Sequence, residues 1–525
     1  MTETGSPVSG GDPPGPPSAA PLAATPGASA PGAVRSALAD RIGELTLPTA
    51  DGATPADRLC LFEALKKRFG PDFEGARLER EALSAAIDRE IAAIDRALSA
   101  QVNAILHAPA LQALEARWRG LRYITGVAYD CERAKVRVLS ASWGEVVRDL
   151  ERAADFDQSS LFRKVYTEEF GMPGGEPYGL MIADYEIRHR SSAHHPTDDV
   201  GALKALSMVA AAAFCPFIMG VAPRMLQLDS FRELGRPRNL QTVFAQPEYQ
   251  RWHSVRDGDD MRFIGLTLPR ILMRRPYAAD PTRVDGFCFR EATHPLGGEG
   301  HLWGASAFAF GAVVLRAFAS NGWFADLRGA PRDELRGGLV TDLTVAGFAT
   351  DAPGVATKPS VEYQVSEAQE RELADLGLIA LRKSPYTDFS VFYGNPSLQR
   401  PARYDRAEAN VNAKLSSMLQ YTLCVSRFAH YIKVLGRDRV GSTMTAEQCQ
   451  EFLNKWLINY CEGSDSASNE VKARYPLREG RVEVRETPGK PGAYSCTVFL
   501  RPHYQLDDIS TGFRLITELA PKLAA

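Results

Sequence analysis

RVEVRETPGKPGAYSCTVFLRP, residues 481–502, decides how the rest of the chain is read. Val482 and Val484 alternate with Arg481, Glu483 and Arg485. Beyond Pro488-Gly489 and Pro491-Gly492, Tyr494, Cys496, Val498 and Leu500 share one face, with Ser495, Thr497, Phe499 and Arg501 on the other. Period-two alternation around Pro-Gly punctuation predicts a β-hairpin. A lone two-stranded ribbon is marginal in water, and no obvious third strand follows it. The missing strand is expected either from elsewhere in the chain or from a neighbour.

Working back from the hairpin, GSDSASN (463–469) reads as a flexible loop. Thr445 and Gln448 form a capping-box pattern before EFLNKWLINY, whose apolar face is Cys449, Phe452, Leu453, Trp456, Leu457 and Tyr460, with Gly463 as the stop. NVNAKLSSMLQYTLCVSRFAHYIKVLG (410–436) reads as one long amphipathic helix. Residues 131–400 mix strands and helices. KVRVLSAS (135–142), PYGLMIADYEI (177–187), TKPSVEYQVS (357–366) and SPYTDFSVFYGN (384–395) read as strands, GASAFAFGAVVLRAFASNGW (304–323) as a buried helix, and SEAQERELADLGLIAL (366–381) as a helix stopping at Gly377. The class is α+β (mixed α/β), with no strand order legible.

Toward the N-terminus, Leu83, Ile87, Ile91, Ile94, Leu98, Val102 and Ile105 repeat at spacings of three and four, close to a heptad seam. Such a seam must bury against another helix, within the chain or on a partner. Pro109 ends that run, and LQALEARWRGLRYI begins a second helix. Val34, Leu38, Ile42 and Leu45 mark a short amphipathic helix before Pro48, either packed locally or presented to a partner. Residues 1–32 are a Pro/Gly/Ala-rich, disordered tail. The layout is therefore 1–32 tail, 33–75 amphipathic helix and linker, 76–130 helical segment, 131–400 mixed core, and 401–525 helices with the hairpin.

The chain has 525 residues, 45% hydrophobic and 24% charged, with a formal net charge of −3. That size supports several domains, and the charge gives no bulk pull toward nucleic acid or an anionic membrane. Eight scattered cysteines without a CxxC pair suggest buried thiols in a reducing compartment, and no secretory signal is visible, so a cytoplasmic location is expected. ALSMVAAAAFCPFIMGVA (205–222) approaches membrane-spanning length, but Ser207 and Pro216 interrupt it. A buried helix followed by a buried strand is expected there.

No catalytic constellation emerges. Glu291, His294 and His301 lack metal-ligand spacing, His194 and His195 lie in a polar loop and read as solvated, and DGDD (257–260) lacks a calcium-loop pattern. There is no GxxxxGK[ST], GGEGHLWG does not complete GxGxxG, and GASAF is not a GxSxG elbow. The arginines of RILMRRPYAADPTR (270–283) lack aromatic interleaving for nucleic acid, and His430 reads as a packed side chain. No cofactor is called for, and a structural or interaction protein is the expectation. An enzyme with a site built from scattered residues is the weaker alternative.

EARWRGLRY (115–123), RFIGLTLPRILMRRPY (262–277), LWGASAFAFGAV (302–313), SRFAHYIKV (426–434) and ARYPLREGRVEVRETPGKPGAYSCTVFLRPHYQL (473–506) occur in one order. Together they resemble the large subunit of the type VI secretion contractile sheath, the TssC/VipB family, over roughly residues 80–520. Ala305 and Arg275 depart from that family's pattern. A related phage-like contractile machine is the alternative. The resemblance implies a cytoplasmic bacterial protein without catalytic residues. It implies pairing with a small sheath subunit (TssB/VipA-like), stacking with further copies around an Hcp-like tube on a membrane-anchored baseplate, and recycling by a ClpV-like AAA+ ATPase, with no nucleic acid and no direct membrane insertion. Three expectations follow from it. The helix at Val34, Leu38, Ile42 and Leu45 docks the ATPase. The seam from Leu83 to Ile105 contacts the small subunit or packs within the chain. The strands bearing Val482, Val484, Tyr494, Cys496, Val498 and Leu500 pair with strands of neighbouring subunits, unless the hairpin is completed in its own chain.

Overall fold

The structure, a computed structural model, describes Lys67 and residues 80–519 apart from 173, 280–281, 283–285, 295–299, 332–333, 347–357, 385–386, 388, 438–444, 465, 487–493 and 504–512. The tail, the helix at Val34–Leu45 and the Pro-Gly turn of the hairpin lie outside the described residues. The chain divides into two compact units, Met1–Ile94 and Asp95–Ala525. Helix α1 (Arg80–Leu106) starts in the first, and everything after it belongs to the second.

Pro109, which has no N–H to lose at a helix start, opens α2 (Pro109–Tyr129). A capping box at Ser142 and Glu145 starts α3 (Trp143–Arg152). The main sheet combines β1 (Met181–Ile187), β2 (Phe217–Val221), β3 (Ile264–Leu268), β6 (Leu339–Val340), β7 (Leu378–Lys383) and β8 (Ser390–Phe392) in the order β1-β2-β3-β7-β8-β6. The first four are parallel, and β8 is antiparallel to both β7 and β6. A two-residue pair, β4 (Ile271–Leu272) with β5 (Trp303–Gly304), stands apart. Between β1 and β2 runs α4 (Asp199–Ala213), ended by Phe214 in the left-handed region at φ 49°. Stretch 205–222 is thus a buried helix and a buried strand, and no helix among the described residues is long and apolar enough to cross a membrane.

Because strand side chains alternate, the sheet has two buried faces. Phe217, Met219, Ile264, Leu266, Leu378 and Ala380 pack with Leu203 and Leu206 of α4. Ile218 and Ile379 face the other way, toward α2, α5 (Ala307–Asn321) and the start of α8 (Leu419–Arg437). A third core joins the later turns of α8, helix α9 (Ala446–Ile458) and the C-terminal sheet. Its aromatic centre is Trp323 stacked on Phe428 at 4.0 Å, with Tyr460 edge-on at 4.9 Å.

Several expectations are corrected. Residues 410–436 form two helices, α7 (Ala407–Ser416) and α8, since Ser416 and Ser417 bond back to local carbonyls. Asn395 and Ser397 then take up the freed groups at Leu419 and Ser417. α6 (Glu367–Asp375) does stop before Gly377, at φ 79°, but LIAL after it is β7. Stretch 357–366 contributes only a bridge between Val361 and Ile271, and 135–142 is not a strand. α9 ends at Ile458 rather than Gly463, and the 463–469 loop gives way to α10 (Asn469–Arg474), capped by Ser468. Finally, the hairpin strands β9 (Leu477–Glu486) and β10 (Tyr494–Pro502) are joined in the same chain by β11 (Phe513–Leu519), antiparallel to β10. The third strand exists and escaped reading because Leu515 and Ile516 adjoin and blur the alternation of FRLITEL.

Candidate functional site

The C-terminal sheet has the order β11-β10-β9. Val482, Val484, Cys496, Val498 and Leu500 are buried on one face and Tyr494 is half-buried, all against Phe428, Leu453, Leu457 and their neighbours. The six side chains expected at a linkage therefore form an intrachain core, so any linkage is a matter of backbone. β10 has a strand on both sides. The outer edge of β9 is closed by α9, where the Asn454 amide accepts from the Val482 N–H at 2.8 Å and donates to the Val482 carbonyl at 3.0 Å. Gln450 accepts from the Val484 N–H at 3.0 Å. These two amides stand where the backbone of a further strand would be. Growth of the sheet is thus confined to the β11 side, whose outer edge pairs with no strand among the described residues.

α1 presents a second surface. Ile87, Ile91, Ile94 and Ile105 are exposed, Leu98 and Val102 are half-buried, and the side chain of Leu83 lies outside the described residues. On α2, Leu114, Trp118 and Tyr129 are exposed, the last at 89%. Sequence reading named the α1 seam but not the α2 residues, although Leu114 and Trp118 stand one helical turn apart.

Of the arginines of 270–283, Arg270, Arg274 and Arg275 bond within the chain, and Arg283 lies outside the described residues. Arg270 grips Glu186 through Nε and Nη2 at 2.5 and 2.7 Å. Arg274 holds Glu291 at 2.5 and 2.9 Å and Glu115 of α2 at 2.9 Å, over the ring of Tyr277. Burial pushes the Glu291 carboxyl up, but the Arg274 guanidinium and the Tyr277 N–H outweigh it and hold it below the usual range. Glu291 is thus an anchor, also reached by His107 at 3.3 Å, rather than a metal ligand. His195 is not simply solvated: its Nε2 lies 2.7 Å from buried Asp199, which also takes bonds from Trp143 and the Arg188 N–H. His430 is buried, and burial pushes it down to about 3. Among the described residues no group of three or more His, Cys, Asp or Glu is placed to hold a metal ion. Cys131, Cys215, Cys424 and Cys496 are buried free thiols, and Cys288 is exposed.

Buried cores, apolar outer helix faces and one open sheet edge suit assembly. Two family models match in succession: the EvpB/VC_A0108 tail sheath N-terminal domain over residues 88–399, and its tail sheath gpW/gp25-like domain over residues 408–519. The chain belongs to the VipB family of tail-sheath proteins. The "Type VI secretion system sheath protein TssC1" of Pseudomonas aeruginosa is 39% identical over 436 residues, 82% of this chain and 86% of the relative. The sheath subunit is accordingly the large subunit of a type VI secretion contractile sheath, and the family read from its motifs is the correct one. Two solved structures are more distantly similar. One, the anti-feeding prophage baseplate, has a TM-score of 0.33 and 9% identity, covering 67% of this chain and 73% of that one. The contracted helical sheath of the same prophage has a TM-score of 0.28 and 14% identity, covering 60% and 74%.

Proposed function

We propose that this subunit pairs with a small sheath subunit, and that the heterodimers stack helically around an Hcp-like tube on a membrane-anchored baseplate in the bacterial cytoplasm. Contraction drives tube and spike outward, and a ClpV-like AAA+ ATPase recycles the contracted sheath. The observation that carries this reading is the C-terminal sheet with one edge closed by Asn454 and Gln450 and the other open. Strands donated by neighbours join on the β11 side, beside β11 or in its place, by β-augmentation. A donor-acceptor contact of this kind does not close on itself and so propagates as a filament. The exposed isoleucines of α1 support a small-subunit contact along the Leu83–Ile105 seam. Docking of the ATPase falls to the helix at Val34, Leu38, Ile42 and Leu45, on its sequence pattern alone. The test is co-expression with the small subunit, followed by sedimentation and negative-stain microscopy. Cogwheel-ended tubules are expected; a monodisperse soluble monomer would overturn the reading.

A further inference from the structure

Lys433 lies on α8 with its ammonium over three aromatic rings, Phe214 at 4.7 Å and Tyr166 and Phe170 at 5.0 Å each. Two of the rings are delivered by irregular backbone. Tyr166 stands in a π-helical turn, Arg163–Thr167, and Phe214 takes the left-handed conformation at the end of α4. Such irregularities carry local strain and gather at functional sites. Phe170 also meets the ring of His430, one turn before Lys433.

The cage holds a cation without a counter-ion. α8 carries no Asp or Glu; its Arg427 lies over Phe318, Phe324 and Tyr431, and its Arg437 donates to the Met172 carbonyl. On the segment bearing Tyr166 and Phe170, Glu168 faces Arg163 at 3.8 Å, Glu169 is bonded to Arg137, and Lys164 is exposed. On the turn bearing Phe263, whose ring meets Phe214, Asp259 pairs with Arg262 and burial holds the Asp260 carboxyl up. Ring faces return only part of what an ammonium loses with its hydration. The neutral amine is therefore favoured, and burial lowers the Lys433 pKa to about 8.

We propose that Lys433 is a nucleophilic lysine, a modification site acylated at Nζ by small acyl phosphates. The neutral Nζ attacks the acyl carbon, and the C–O bond to phosphate breaks. The leaving phosphate keeps the bonding pair and takes one proton from Nζ, so an amide and hydrogen phosphate result. Lys433 is half-buried rather than enclosed, which leaves a small donor a way in. An anionic donor suits a helix with two further arginines and no carboxylate. The amide is uncharged and brings an apolar group among the rings, so the product suits the cage better than the ammonium does.

The test is incubation of the full-length chain with acetyl phosphate between about pH 7 and 9.5, with acetylation read site by site by peptide mass spectrometry. At pH 7.5 about a quarter of Lys433 is neutral, against about a thousandth of an ordinary lysine. A less basic amine is a weaker nucleophile, so the expected advantage over the other lysines is about tenfold. The Lys433 rate should level off above about pH 8 while theirs continue to rise. The preference should vanish in urea, where the rings disperse. Tyr166→Leu and Phe214→Leu each remove one wall, and should shift the plateau to higher pH with circular dichroism unchanged. Acetylation of Lys433 no faster than that of the other lysines overturns the proposal, as does a rate that rises to pH 9.5 like theirs. A preference that persists in urea also overturns it, for it would come from local sequence and not from the cage. These three readings need only the native chain.

Discussion

Arg274 binds the helical segment to the mixed core. Its guanidinium spans Glu115 on α2 and Glu291, whose side chain is wholly buried. Removing the arginine leaves an uncompensated buried carboxylate, so Arg274→Met should lower unfolding free energy by about 3–5 kcal/mol in urea titrations. Arg274→Lys should rescue little, for an ammonium lacks the planar fork that engages both carboxylates. Arg274→Met with Glu291→Leu should recover much of the loss, because no charge then stays buried alone. His430 makes a pH prediction of definite sign. The bond from Nε2 to the Ala213 carbonyl at 2.9 Å requires the proton on Nε2, leaving Nδ1 to accept from Arg427 at 3.2 Å. Burial, and then the Arg427 charge, lower its pKa to about 3. The unfolded state therefore takes up the proton first, and the stability present above about pH 6.5 is lost as pH falls toward 3, at up to about 1.4 kcal/mol per unit. Urea midpoints between pH 7 and 4.5 should fall for the native chain and fall less steeply for His430→Gln. His189, also lowered by burial, titrates in the same sense in both proteins, so the difference isolates His430.

The pairing of α9 with β9 shows how an element edge is closed without another strand. Asn454 satisfies both backbone groups of Val482. Asn454→Leu should cost about 1–3 kcal/mol, since those groups are left unpaired, and should increase self-association by reopening the edge. Urea unfolding and sedimentation velocity read the two effects separately. Little of this closure was legible in sequence, because Asn454 and Val482 are far apart along the chain and nothing local marks them as partners. What local pattern dictates was legible: the Thr445–Gln448 capping box, the alternation of β9 and β10, and the buried helix and strand on either side of Pro216. The break at Ser416-Ser417 was not, because it depends on the Asn395 carbonyl accepting from the Leu419 N–H and on Ser397 donating to the Ser417 carbonyl, both tertiary contacts. The same limit applies to the candidate site. Period two showed that Val482 to Leu500 share a face, but only the positions of α8 and α9 show that this face is inward. At KVRVLS the local pattern was strand-like, but the segment joins no sheet among the described residues.

At the scale of the whole molecule, α8 joins the two parts that a sheath must keep together. Leu419 and Leu423 belong to the core beneath the main sheet, while Cys424, Val425, Phe428 and Ile432 belong to the C-terminal core. A load taken by the C-terminal sheet is therefore carried into the mixed core along one helix with packed side chains on both stretches. A contracting assembly has two packings of the same subunits, so its permanent links must be of a kind that survives repacking, and backbone ladders meet that need better than side-chain contacts. Val498 separates the two edges of the ladder. Its partner Val482 turns its backbone groups outward to Asn454, so Val482 and Val498 are a non-hydrogen-bonded pair and Val498 directs its own N–H and C=O toward β11. Val498→Pro removes that donor and disturbs the β11 side, where the proposed linkage forms, whereas Val484→Pro removes only the bond to Gln450 on the closed side. In co-expression with the small subunit, Val498→Pro should retain the heterodimer on affinity purification and lose tubules under negative stain. Val484→Pro should lower thermal stability and disturb tubules less. Tubules of normal length and number from Val498→Pro would show that the link between subunits does not pass through this edge.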